Sequence, residues 1–224
     1  AMTPSSANTY TLPNDKLGTP PQFVAGVCLF SPCYTLPYIF ITSPMSKILF
    51  DEQGLTPGTP FEKDQWKKIA THTDKEIKGF FGEYRFLNNF WPAVVFLDGV
   101  QFPCVENAYQ SAKYAQTMRG YFVTCSPKEA IIFARDTPLN EEALAEWEKK
   151  KVQVMYNLLL QKFDKSLNEE LYHALQATGD RYLEETNYWG DVFWGVNTSH
   201  KEDKGVGENM LGTLLMKIRD KETR

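Results

Sequence analysis

The segment VVFLDGVQFPCVENAYQSAKYAQ, residues 94–116, decides how the chain folds. It is apolar on both sides of Asp98-Gly99, and both residues of that dipeptide tolerate positive φ, so the spacing predicts a tight hairpin over 94–102. Pro103 is then expected in the first turn of a helix, where a missing N–H interrupts nothing. In that helix Val105, Ala108, Ala112 and Ala115 form an apolar stripe. Beside it run Glu106, Gln110 and Lys113, at positions i, i+4 and i+7 of one face. Glu106 and Lys113 are separated by roughly 10 Å at ~1.5 Å of rise per residue, too far to pair directly but able to reach around a ligand. The second stripe therefore has two readings: a solvated polar face, or an acid, an amide and an amine arranged for chemistry.

Working outward, SPKEAIIFAR (126–135) offers Ser126 as N-cap, Pro127 at the first helical position and Glu129 to complete a capping box. After Asn140 a long helix is expected to about Phe163, with Leu144, Trp147, Val154, Met155, Leu158 and Leu159 on its buried side. Ser166 and Glu169 suggest a second capping box, for a helix ending at Gly179. ENMLGTLLMKIRD, following Gly205 and Gly207, reads as a terminal amphipathic helix. Upstream, residues 1–22 are polar and Pro-rich, and 23–50 hold three short apolar runs, FVAGVCLF, PYIFIT and KILF, expected as strands. Residues 51–78 read as a loop with one short helix around Lys63–Ala70. No charge occurs from Leu17 to Ser46, but Pro20, Pro21, Pro32, Pro37 and Pro44 break that stretch, which argues against a membrane helix. The expected fold is α+β: a predominantly helical single domain over 79–224 with a short β-hairpin and small sheet, preceded by a partly β-rich extension over 1–78.

Composition narrows the function. An aromatic share of 14% and a hydrophobic share of 42% in 224 residues support a packed domain. A net charge of −4 argues against a broad, sequence-independent nucleic-acid surface, while leaving room for an anionic ligand held by a few local groups. Cys28, Cys33, Cys104 and Cys125, with His72, His173 and His200, are too scattered for a metal cluster or a disulfide scaffold. No metal, no cofactor and no secretory signal are expected, and the setting is read as reducing and intracellular, cytoplasmic or nuclear.

Three further segments carry candidate chemistry. NYWGDVFWGVN (187–197) combines Trp189 and Trp194 with Gly190, Gly195 and Asp191, which suits base stacking as well as an aromatic turn plugging the core. GVGENMLG (205–212) places Asn209 at a helix start, where N–H groups can hold phosphate or merely make a loop-to-helix junction. FFGEYRFLNNFWP (80–92) sets Arg85, Asn88 and Asn89 among aromatics; Arg85 is either a phosphate clamp or a surface charge. No nucleophile–His pair, P-loop or dinucleotide fingerprint occurs.

Taken in order, FFGEYRFLNNFWP, DGVQF, VENAYQSAKY, SPKEA, ATGD, YWG and GENMLGTLLMKIR resemble the NADAR family, also called YbiA-like, over about residues 79–220. That family's pattern runs from an aromatic-Gly stretch with Ser-Asn-Phe, through a hairpin and Val-Glu-His-x-Tyr-Gln-x-x-Lys, to Trp-Gly and Gly-x-Asn-Met-Leu-Gly. Two positions depart from it: Asn88 stands where Ser is common, and Asn107 where His is common. The resemblance implies cleavage of N-glycosidic bonds of ribosyl compounds. Two substrate classes go with it, ADP-ribose on guanine bases of nucleotide, DNA or RNA, and phosphoribosylated pyrimidine intermediates of riboflavin synthesis. A non-catalytic ADP-ribose reader is the alternative from another class. Carried onto this chain, the resemblance implies Glu106, Lys113 and Asp191 as catalytic residues. Its implied substrate-binding set is Gly82, Arg85, Asn89, Phe90, Trp91, Tyr109, Gln110, Trp189, Trp194, Gly195 and Asn209.

Overall fold

The computed structural model describes residues 69–198 and 205–222. Residues 1–22, the strands expected within 23–50 and all but the last two residues of the helix expected around 63–70 lie outside them.

The hairpin forms where the Asp-Gly signal places it. β3 (Pro92–Leu97) and β4 (Val100–Cys104) are antiparallel with Leu97 opposite Val100, and the turn has φ 52° at Asp98 and 77° at Gly99. Glycine suits that second position because its φ is in the left-handed region. Pro103 is a correction: it belongs to β4, not to the helix. The register shifts between Pro92 and Val95, so Pro103 sits where the ladder is already interrupted and its missing N–H breaks no pairing.

Helix α1 (Val105–Ser111) follows at once, and every one of its residues is buried. It is shorter than its apolar stripe suggests, for Ala112 is the C-cap and Ala115 lies beyond it, exposed. Arg119 accounts for the early stop. Its guanidinium donates to the carbonyl of Ser111, to Ser111 Oγ and Tyr114 O, each at 3.1 Å, and to Asp98 Oδ2 at 2.8 Å. A single buried cation thus caps the free carbonyls at the end of α1 and ties them to the hairpin turn.

The elements that enclose α1 come next in the chain: α2 (Arg119–Thr124), α3 (Pro127–Asp136) and α4 (Glu141–Lys162), which with β3 and β4 pack on it from all sides. Their starts are local. Ser126 and Glu129 form the expected capping box, and Asn140 Oδ1 accepts from Ala143 N at 2.8 Å. On α4, Trp147, Met155, Leu158 and Leu159 are buried as expected, whereas Leu144 is exposed because the first turns of α4 extend past the core. The second capping box is not made. α5 (Glu169–Gln176) has Asn168 at its N-cap, and that side chain is engaged elsewhere, bonding Val94 N at 2.8 Å and Val94 O at 2.9 Å.

The remaining strands are short. β1 (Thr71–His72) and β2 (Glu76–Lys78) are antiparallel, and β5 (Tyr182–Glu184) adds to β2 in parallel. β6 (Thr186–Asn187) pairs in parallel with β7 (Val196–Asn197), and α6 (Met210–Glu222) closes the chain against β5 and α4. The fold is therefore mixed and mainly helical, with one hairpin and two small sheets among the described residues. No helix there is long and apolar enough to cross a membrane.

Candidate active site

Encasing α1 decides the fate of its polar stripe. Glu106 is 8% exposed and Gln110 7%, which excludes a solvated face. Gln110 Nε2 donates to Glu106 Oε1 at 2.7 Å, and Lys113 Nζ donates to Gln110 Oε1 at 2.7 Å. An ammonium can only donate, so Lys113 fixes which way the Gln110 amide points, and the amide in turn orients the Glu106 carboxyl. The two charges that cannot touch are thereby linked through one amide.

Burial dominates the protonation of both ends. It raises the Glu106 carboxyl, and the Asp191 charge raises it further, against the lowering effects of the Gln110 hydrogen bond, Lys113 and Asn89. Burial also lowers Lys113, against the opposing pull of Glu106 and Glu148. The Lys113 amine lies 5.4 Å from the Tyr109 ring centre and 5.7 Å from that of Trp147, so two aromatic rings shield part of it. Both shifts run toward the uncharged forms, which eases passing a proton into or out of either end of the chain.

The turn at Asn88–Trp91 forms one side. Asn88 Oδ1 accepts from Phe90 N at 2.8 Å, a bond a serine could supply equally, and Asn88 O accepts from Trp91 N at 3.1 Å. Lys162, wholly buried at the end of α4, donates to the same carbonyl at 2.7 Å. So held, Asn89 receives the Glu106 N–H on its carbonyl at 3.1 Å, while its side-chain Oδ1 is enclosed without a hydrogen-bond partner. Phe90 and Trp91 are half-buried on this turn.

The loop before β7 forms the other side. Asp191 Oδ1 accepts from Phe193 N at 3.0 Å and Trp194 N at 2.9 Å, folding a turn that sets the Trp194 ring 5.6 Å from Tyr109. Tyr109 also meets Trp147 edge-on at 5.0 Å. Lys151 of α4 sits over the Phe193 ring at 3.7 Å and holds this loop to the helix. Asp191 is half-buried and acts electrostatically on Glu106 and on a carboxyl that the sequence reading did not single out, Glu185.

Not every expected residue joins this cluster. Gly195 is required by the chain itself: a Cβ there would lie 2.3 Å from Glu185 O and 2.7 Å from Asn187 Nδ2. The N–H groups expected to be open to phosphate near Asn209 are committed, Glu208 N to Val192 O at 2.8 Å, Met210 N to Phe193 O at 3.1 Å and Leu211 N to Trp194 O at 3.0 Å. The Asn209 side chain likewise clamps Glu185 N and Leu183 O, at 3.0 and 2.8 Å. Three of the N–H groups expected to hold phosphate there are thus committed to the loop that carries Asp191. Gly82 and Arg85 lie on a 3-10 turn (Gly82–Leu87) that packs on α5, with Gly82 exposed and Arg85 half-buried. Trp189 is 55% exposed and leans edge-on against Tyr188. Asn107, the departure from the family pattern, points away from the polar stripe: its Nδ2 donates to Phe122 O at 2.7 Å and Cys125 O at 2.9 Å, and Cys104 Sγ donates to its Oδ1.

Three residues of the cluster were not foreseen as such. Trp147 was assigned to the core alone, and Lys162 had one visible signal, a lysine after the apolar run Leu158–Leu160. Glu185 had none, being one of two adjacent glutamates. Among the described residues no group of His, Cys, Asp and Glu could hold a metal ion.

Comparison with known proteins agrees with this architecture. The family model described as NADAR domain matches residues 60–221. The N-glycosidase YbiA of Escherichia coli is 34% identical over 147 residues, covering 62% of this chain and 81% of that one. A riboflavin biosynthesis protein of Vibrio vulnificus is 31% identical over 135 residues, 60% of this chain but 35% of its own length. The chloroplastic riboflavin biosynthesis protein PYRR of Arabidopsis thaliana is 34% identical over 155 residues, 67% of this chain and 24% of its own. This chain thus spans a minor part of both riboflavin biosynthesis proteins. The NMR structure of E. coli YbiA superposes with a TM-score of 0.55 at 29% identity, covering 69% of this chain and 89% of that one. With the family model matching well over half of its length, the chain belongs to the NADAR family.

Proposed function

We propose that residues 79–224 form an N-glycosidase domain that hydrolyses the bond between ribose C1 and a base nitrogen, with ADP-ribose attached to guanine as its substrate. The observation that carries this reading is the buried chain from Glu106 through Gln110 to Lys113. As the glycosidic bond breaks, its electron pair leaves with the base nitrogen and C1 gains oxocarbenium character, which a carboxylate stabilises. Glu106 supplies that carboxylate and accepts a proton from the water that adds to C1. Lys113 protonates the departing nitrogen or, as the free amine, attacks C1 to give a Schiff base with the opened ribose. Gln110 keeps the two in register, and Asp191 adds a second carboxylate. Tyr109 and Trp194 flank the reacting groups, while the exposed Trp189, beside Tyr188, is a stacking surface for a base that remains outside.

A second reading has its own support. Relatives bearing the names of riboflavin biosynthesis proteins favour a phosphoribosylated pyrimidine as substrate. Side-by-side turnover of guanine-ADP-ribosylated DNA and a phosphoribosylaminopyrimidine separates the two. The ADP-ribosyl reading expects release of ADP-ribose, and exclusive turnover of the pyrimidine overturns it. Borohydride added during turnover tests the covalent route: trapped sugar on wild type, absent from Lys113→Ala, supports attack by Lys113, and no trapping limits Lys113 to proton transfer.

A further inference from the structure

Glu185 is a buried carboxyl beside the site that none of the steps above uses. It lies between β5 and β6, with its N–H on Asn209 Oδ1 at 3.0 Å and its carbonyl receiving Val196 N at 2.8 Å. Gly195 crosses so close that a Cβ there would lie 3.1 Å from Glu185 Cγ, so the side chain has little freedom to turn away. The residue is 7% exposed, and its Oε2 is enclosed without a hydrogen-bond partner. Asp191 and Glu106 act on it as like charges and Lys162 as an opposite one, so it shares the surroundings of the two carboxyls assigned to the reaction. The second enclosed, unpartnered acceptor near Glu106 is Asn89 Oδ1. Both residues act on or feel the Glu106 carboxyl, Asn89 through a side-chain hydrogen bond and Glu185 through its charge, and each oxygen lacks an O–H or N–H donor that a ligand could bring.

The chemistry of the surroundings selects among ligands. Phosphate brings only acceptors and negative charge, so it offers no donor to the Asn89 oxygen and is opposed by the Asp191 charge. A vicinal diol brings two hydroxyls, each able to donate and accept, and so suits a carboxyl in either protonation state. Burial with the Asp191 charge pushes Glu185 up to about 8, so it holds a proton at neutral pH, and a hydroxyl accommodates that form too. Ribose carries its 2-hydroxyl on the carbon next to the C1 that Glu106 must face. Resting on the N-glycosidase reading, we propose that Glu185 Oε2 binds the 2-hydroxyl of the substrate ribose and Asn89 Oδ1 the adjacent 3-hydroxyl, making Glu185 the residue that selects ribosyl over 2-deoxyribosyl substrates.

Calorimetric titration of the full chain with ribose 5-phosphate and with 2-deoxyribose 5-phosphate tests this without requiring turnover. Wild type is expected to prefer the ribosyl compound by about tenfold or more, which corresponds to about 1.4 kcal/mol. Glu185→Ala is expected to bring that ratio to about one by weakening only the ribosyl compound, and Glu185→Gln, which keeps an acceptor oxygen, to restore most of it. Equal affinity of wild type for the two sugars overturns the proposal, independently of whether any variant folds. A ratio unchanged in Glu185→Ala, or an equal loss for both sugars, also overturns it and leaves Glu185 a structural group or a contact to the base. Preference for ribose by wild type with no cleavage of any N-glycoside leaves the Glu185 assignment standing and removes the hydrolase reading. Binding of neither sugar overturns the Glu185 assignment and leaves the hydrolase reading to the turnover assay.

Discussion

Glu106 and Lys113 are held by the same amide, so neither acts alone. Replacing Glu106 by Gln or Lys113 by Ala is expected to lower kcat by about 10²- to 10⁴-fold, the range of a positioned proton-transfer group, while the folded chain persists. Lys113→Arg is not expected to restore activity, because a guanidinium does not deprotonate at accessible pH. Gln110→Ala is expected to lower kcat by about 10- to 100-fold by releasing both partners, and a rise in KM alone would show that the amide binds substrate instead of orienting the pair. Steady-state kinetics on the four variants decides between these outcomes. The sequence displayed this trio because i, i+4, i+7 spacing on a short helix is local information. Glu185 stayed hidden for the opposite reason. Glu184 and Glu185 are adjacent and chemically identical, and which of them turns inward follows from strand pairing across long loops, with Tyr182, Leu183 and Glu184 set against β2.

Helix α1 is seven residues long and enclosed on all sides, so its stability comes from its neighbours and not from its propensity. Asn107 is one of the struts: it bridges the carbonyls of Phe122 and Cys125, which would be left without that donor in Asn107→Leu. That substitution is expected to destabilise the chain by about 1–3 kcal/mol, read as a lower urea midpoint with an unchanged slope. Loss of the Asn140 cap in Asn140→Ala should cost about 1 kcal/mol by the same measurement. The caps at Ser126 and Asn140 were legible because a cap needs only the residues that follow it. The cap expected at Ser166 failed because Asn168, two residues on, is bound to the backbone of Val94, 74 positions away. Pro103 failed for a related reason, since only the bulge in the hairpin register reveals that a proline fits β4.

Across the whole molecule the fold gathers Glu106, Glu185, Asp191, Lys113 and Lys162 around one interior, and this has a thermodynamic signature. The Glu185 carboxyl moves from an ordinary 4.5 to about 8 on folding, so between those values the folded chain holds a proton that the unfolded chain has released. Stability from this group is complete below about 4.5 and is lost as pH rises through about 8. Glu106, raised in the same direction, adds to that slope, while Lys162, lowered to about 7, opposes it from about pH 7 upward, having begun to do so just below. Thermal unfolding at about pH 5, 6 and 7 should therefore show the wild-type Tm falling with pH, and a shallower fall in Glu185→Gln; equal slopes would mean that Glu185 is not a buried acid. The general plan, a mainly helical domain with one hairpin and small sheets, was legible because seven short motifs in fixed order specify it. That Glu208, Met210 and Leu211 give their N–H groups to the loop around Asp191 was not, because it depends on packing between segments far apart in the chain. The central claim is that the Glu106–Gln110–Lys113 chain cleaves a ribosyl N-glycosidic bond. The most direct measurement is release of ADP-ribose from guanine-ADP-ribosylated DNA by wild type, Glu106→Gln and Lys113→Ala, with a phosphoribosylaminopyrimidine run in parallel. The account predicts release by wild type and its near-complete loss in both variants; full turnover by both variants, or no cleavage of either substrate by wild type, would contradict it.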